Sequence, residues 1–168
     1  MASCYPTRKW EIPKLLLKKQ AHEEAQACYQ ESLAIYEEIN DKGGLARTYQ
    51  GLGEIACAQG EFQAARQYLH QALDLAANMN FVPLLFSTLN AVGRLFMKTE
   101  QPVRGMALFS FVSQHPASDH ASRAEADEQL RQAEQWPDTD RQFPPHPQQE
   151  RTLTDVIAEL LYYLDTAV

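Results

Sequence analysis

Cysteine is scarce in this chain: Cys4, Cys28 and Cys57 are its three, and no two form a CxxC pair. An odd count at such spacings excludes a disulfide framework and offers no zinc site. The five histidines (His22, His70, His115, His120 and His146) make no HExxH and no pair at metal-ligand spacing, so neither a metal nor another cofactor is expected. No apolar run approaches the roughly 20 residues that span a bilayer. The opening MASCYPTRKWEIPK has no uninterrupted apolar core ahead of its charges and does not read as a signal peptide. The expected compartment is therefore a reducing cytoplasm. Positive charge is the minority sign, with 15 Lys and Arg against 22 Asp and Glu for a formal net charge of −7. That balance argues against nucleic acid or an anionic membrane as the partner. From Gln20 to Asp41 there are six carboxylates and no Lys or Arg, the pattern of a solvated helix face. Alternation of period two is missing over any useful length, so strands are not expected.

Catalytic signatures are equally sparse. GLGEIACAQGEFQAA (Gly51 to Ala65) holds three glycines in ten residues. It lacks the GxGxxG spacing, a preceding strand and a GKS or GKT ending, so it is not a phosphate loop. Cys57 and His70 share no nucleophile–base signature. Glu23-Glu24 and Glu37-Glu38 are adjacent on helical patterns and diverge. The chain is expected not to be an enzyme.

What is present is a 40-residue echo. Ala25, Tyr29, Ser32 and Leu33 return 40 positions later as Ala65, Leu69, Ala72 and Leu73, and Gly105, Phe109 and Val112 continue the series. Leu45, Tyr49, Leu52, Gly53 and Ala56 return likewise as Leu85, Leu89, Val92, Gly93 and Phe96. Small and apolar matches in one order at one offset mark an internal repeat. Each unit reads as two helices, because Leu45, Tyr49, Leu52 and Ala56 lie on one helical face and Phe62, Ala65, Leu69, Ala72, Leu73 and Ala76 on another. Gly60 is placed to end the first helix in a left-handed conformation, and Pro102 to start a second helix. Gly53 and Gly93 sit in helix middles, where glycine costs about 1 kcal/mol against alanine. Close approach of the partner helix would offset that cost, with Ala65 and Gly105 facing the two glycines. Tyr29, Leu69 and Phe109 are expected to fill the gaps between units.

The order Leu52-Gly53, Ala56, Gly60, Phe62, Ala65, Leu69, Ala72 resembles the tetratricopeptide repeat. The usual period of that repeat is about 34 residues, and about 40 to 47 belongs to HEAT and armadillo repeats. The spacing inside each hairpin nevertheless follows the tetratricopeptide order, and the extra residues fall outside it. The nearer resemblance, over roughly Ala21 to Leu161, is to the 40-residue arrays that close bacterial signalling ATPases and transcriptional regulators. The resemblance implies a right-handed solenoid of about two and a half helical hairpins that binds a protein or peptide in a concave groove. Carried over residue by residue, the groove positions are Arg47, Gln50, Glu54 and Cys57 in one unit, and Ser87, Asn90, Arg94, Met97 and Lys98 in the next. They lie opposite Tyr49/Leu52 and Leu89/Val92, so packing is expected to leave them free for an extended peptide or a carboxylate.

The ends depart from the repeat. Residues 1–20 carry Pro13 where a small residue is expected, beside KLLLKK; they are either a half repeat or the continuation of a longer array. Repeats are expected over 21–116. A capping helix follows over 117–136, with Ser118 as N-cap, a weak face of Ala121, Ala124, Leu130 and Ala133, and Trp136-Pro137 as its stop. A proline-rich linker covers 137–150. An amphipathic helix closes the chain over 151–168, opened by Thr152 and Asp155 in capping-box spacing. Its apolar face, Val156, Leu160, Tyr163 and Leu164 widened by Ile157 and Leu161, must dock, by default on its own array. The alternative is docking into a second copy, which would make the chain a self-assembling homodimer.

Overall fold

The computed structural model describes residues 22–99, 101–133 and 152–166. The readings made for residues 1–20, for the Trp136-Pro137 stop and for the linker at 137–150 lie outside the described residues. Those described form seven helices and no strand. They are α1 (His22–Glu38), α2 (Lys42–Gln59), α3 (Phe62–Asn78), α4 (Val82–Lys98), α5 (Pro102–Gln114), α6 (His120–Ala133) and α7 (Leu153–Thr166). The all-α array of stacked hairpins is thus the observed architecture. α2 with α3 and α4 with α5 are hairpins, α1 packs on α2, and α6 packs on α5. The first helices of successive units, α2, α4 and α6, also touch one another.

The 40-residue period is explained by its joints. Asn40 and Asn80 both take left-handed backbone, with φ of 54° and 50°, a conformation asparagine tolerates better than most residues. In each case the next amide reaches back to close the helix end, Asp41 N to Tyr36 O at 2.9 Å and Phe81 N to Ala76 O at 3.0 Å. These turns are short, while α2 has 18 residues and α3 and α4 have 17 each. The residues beyond a shorter repeat therefore lie in the helices. Gly60 ends α2 with φ of 82°, and Pro102 opens α5, both as the sequence implies. Asp41 caps α2 by accepting from the Gly43 and Gly44 amides at 3.0 and 3.1 Å.

Glycines set how closely the helices approach. A methyl at Gly53 would lie 2.7 Å from Leu69 Cγ, and one at Gly93 would lie 2.7 Å from Phe109 Cε1. Leu69 and Phe109 thus fill notches within their own hairpins, which corrects the expectation that they bridge units. Tyr29 does bridge: a methyl at Gly51 would lie 2.1 Å from its Cζ. Tyr36 fills a second notch one heptad away, at Gly44. The facing of small residues holds, since a methyl at Gly105 would lie 2.8 Å from the Gly93 carbonyl.

Two expectations for α6 are corrected. Asp119, not Ser118, caps it, accepting from the Ala121 and Ser122 amides, each at 3.0 Å. Its buried face is Ser122, Ala126 and Ala133, with Leu130 packed at the margin; Ala121 and Ala124 are exposed. Leu130 and Ala133 lie on the packed side as expected, and Ser122 and Ala126 take the places expected for Ala121 and Ala124. In α7 the capping box forms as expected, with Asp155 N to Thr152 Oγ1 at 3.2 Å and Thr152 N to Asp155 Oδ2 at 3.1 Å. This helix lies against α3 and buries Val156, Leu160 and Leu164.

Candidate functional site

Side chains from α2, α4 and α6 meet in one polar ladder. At its start Gln50 Nε2 donates to Ser87 Oγ at 2.7 Å and to Glu54 Oε1 at 3.0 Å. Arg94 then donates to Glu54 Oε1 at 2.9 Å and, through its other terminal nitrogen, to Glu125 Oε1. Asn90 Nδ2 closes it by donating to the Ser122 carbonyl at 2.8 Å and to Glu125 Oε2 at 3.3 Å. Each rung comes from a different first helix, so the ladder crosses two inter-unit boundaries.

The electrostatics follow from that arrangement. Burial works against the charge on Arg94, but Glu54 and Glu125 outweigh it and push the guanidinium above its ordinary range. The side chains of Glu54, Arg94 and Glu125 are 15%, 26% and 41% exposed, so an incoming group can still reach them. Asn90 is fully buried, and its side-chain carbonyl has no hydrogen-bond partner among the described residues. Burial first, and then the charge of Glu54, raises the Cys57 thiol, while Lys98 and Arg94 pull the other way. The net shift is upward, so the thiol stays protonated and is a poor nucleophile.

The structure brings together five of the nine residues singled out in the sequence, namely Gln50, Glu54, Ser87, Asn90 and Arg94. Their predicted freedom from packing is corrected for Gln50, Asn90 and Cys57, which are buried, because successive first helices close over them. Lys98 is exposed and reaches the Cys57 carbonyl at 3.4 Å. Arg47 stands apart with its guanidinium 5.1 Å from the centre of the Phe81 ring. Met97 turns away from the ladder, its Cγ and Sδ lying against Gly105 of α5. Ser122 and Glu125 were missed in the sequence. They lie on α6, where the 40-residue echo has stopped. A partial signal did exist, since Glu54 and Arg94 are opposite charges at equivalent repeat positions.

Among the described residues no group of three or more His, Cys, Asp or Glu could hold a metal ion. No described helix is long and apolar enough to cross a membrane.

Residues 14–78 match the family described as Tetratricopeptide repeat, a segment that takes in α1, α2 and α3. The comparisons found no match among curated proteins or among solved structures. Repeats of this family generally mediate protein–protein interaction.

Proposed function

We propose that this tetratricopeptide-like array is a protein-interaction module whose first helices bind an extended segment of a protein partner. The observation that carries the reading is the ladder from Gln50 to Glu125, a row of polar groups spanning three helices with its charged members partly exposed. A structural ion pair alone needs no such length. Arg94 and Lys98 supply donors to main-chain carbonyls and carboxylates of the segment, and Glu54 and Glu125 supply acceptors to its amides. Gln50 and Asn90 act from below by fixing Ser87, Glu54 and Glu125. In this reading the module serves as the adaptor or sensor part of a cytoplasmic signalling or transcription regulator.

The test is selection of random displayed peptides on the full chain, followed by affinity measurement on variants. Arg94→Ala and Lys98→Ala should each weaken selected peptides by at least tenfold, while Arg131→Ala on the exposed face of α6 should not. Equal affinities for all of them would refute the groove assignment. The regulator reading is checked separately, by whether a nucleotide-binding module precedes this array in the intact gene product.

A further inference from the structure

The second helices of the hairpins carry a separate surface, and it is occupied. α7 lies along α3 with Val156, Leu160 and Leu164 buried. Its most specific contact is Tyr163. The ring stands edge-on to Phe96, with centroids 5.2 Å apart at 74°. Arg66 of α3 and Arg104 of α5 bring their guanidinium carbons to 5.5 and 4.6 Å from the ring centre. The Tyr163 hydroxyl accepts from Gln101 Nε2. Three helices of two hairpins thus build a seat for one tyrosine, and three aliphatic residues run from it along α3.

The path of the chain to this seat is unusual for a stacked array. α6 lies at the end of the stack, against α4 and α5, yet α7 does not continue the stack beyond it. The chain returns past a whole hairpin to α3. Eighteen residues separate Ala133 from Thr152, enough for about 60 Å at full extension. Among the described residues α7 packs along α3, reaches α4 and α5 through Tyr163, and makes no packing contact with α6. Nothing in the seat therefore distinguishes the α7 of its own chain from that of a neighbour.

We infer that α7 is an exchangeable ligand, and that the seat on α3 and α5 accepts α7 from a second copy of this chain to give a reciprocal, two-fold dimer. The matched occupant is α7 itself, because the seat reads a tyrosine at one position and aliphatic residues seven and three positions before it and one after. Within one chain the tether raises the local concentration of α7 and favours the closed monomer. Exchange gains ground as protein concentration rises, with the same contacts on both sides of the equilibrium. The inference concerns the second helices and stands whether or not the ladder on the first helices binds peptide.

Complementation of two full-length variants tests it. Ala158→Pro, on the exposed side of α7, breaks the helix and leaves the seat whole. Arg66→Ala/Arg104→Ala damages the seat and leaves α7 whole. Light scattering should find each variant monomeric alone. Their mixture should form a 1:1 complex with a dissociation constant at least tenfold below the self-association of either. Two variants that are folded by circular dichroism yet remain monomeric when mixed would overturn the inference. A second measurement does not depend on the proline variant folding. A fluorescein-labelled peptide of residues 152–166 should bind the unmodified chain, and at least tenfold more weakly the Arg66→Ala/Arg104→Ala chain. No binding to the unmodified chain, or equal binding to both, overturns it as well.

Discussion

At the scale of single residues, Gly51 shows how a position without apparent purpose acquires one. In the sequence it is one more glycine beside the repeat's Leu-Gly pair. In the fold it is the floor beneath Tyr29, whose Cζ would lie 2.1 Å from an added methyl. That contact is with the phenol end of a buried, rigid ring, which cannot move aside without shifting the whole Tyr29 side chain. Gly51→Ala should therefore destabilise by about 1–3 kcal/mol despite the better helix propensity of alanine. Gly43→Ala is the matched control, since its methyl would meet only Asp41 Oδ1 at 3.4 Å, and it should be neutral or slightly stabilising. Thermal unfolding of the two variants checks this. The double variant Gly51→Ala/Tyr29→Leu should recover part of the loss, and strict additivity would mean that the ring is not the cause. The tenant of the notch comes from the preceding unit, 22 residues upstream. The 40-residue echo does not mark this glycine, since its counterpart is Ala91, and local sequence does not name what fills the notch.

At the scale of helices, what could be read depended on whether the signal was local. The Gly60 terminator, the Pro102 start, the Thr152–Asp155 box and the apolar face of α7 each rest on residues within one or two turns, and each is found in place. The first half of the α6 face is not legible, because Ala121, Ala124 and Ala126 are alike and no large residue there fixes which side is buried. Its cap falls one residue later than the sequence suggests, since Ser118 and Asp119 are both good N-cap residues and only Asp119 accepts from the first-turn amides. The cap has a measurable consequence. Burial alone would raise the Asp119 carboxyl, but hydrogen bonds from Ser122 and Ala121 outweigh it and hold it below its ordinary 3.8. A carboxyl depressed by folding stabilises above its unfolded pKa, and that stabilisation is lost as pH falls through the folded value. Asp119→Ala should cost about 1 kcal/mol at neutral pH. Asp119→Asn should cost little there and flatten the fall in stability below about pH 4. Urea midpoints at neutral pH and near pH 3 separate the two effects; an unchanged acid slope in Asp119→Asn would remove Asp119 as its source.

At the scale of the molecule, the units of the array are not equally tied together. One apolar cluster runs through α2, α3, α4, α5, α6 and α7 and contains Leu73, Phe86, Leu89, Phe96 and Phe109. α4 lies at its centre, with Phe86, Leu89, Val92, Leu95 and Phe96 almost wholly buried and Asn90 and Arg94 bound to α6. α1 belongs instead to a separate small cluster of Ala25, Tyr29, Leu52 and Ile55, with Tyr68 at its edge, and its outer face carries the acidic run. Repeat arrays gain stability chiefly from nearest-neighbour interfaces, so unequal interfaces mean unequal local stability. Hydrogen exchange should therefore show two classes of amide. Those of α4 should exchange only through global unfolding and follow the full urea dependence. Those of α1 should exchange through a smaller opening with a shallower dependence, because less surface is exposed when it leaves. Gly51→Ala acts at the α1–α2 contact, so it should speed exchange in α1 while leaving α4 protected relative to global stability. If α1 and α4 exchange with one opening energy and one urea slope, the array is a single cooperative unit. The division into a small and a large cluster would then have no energetic meaning.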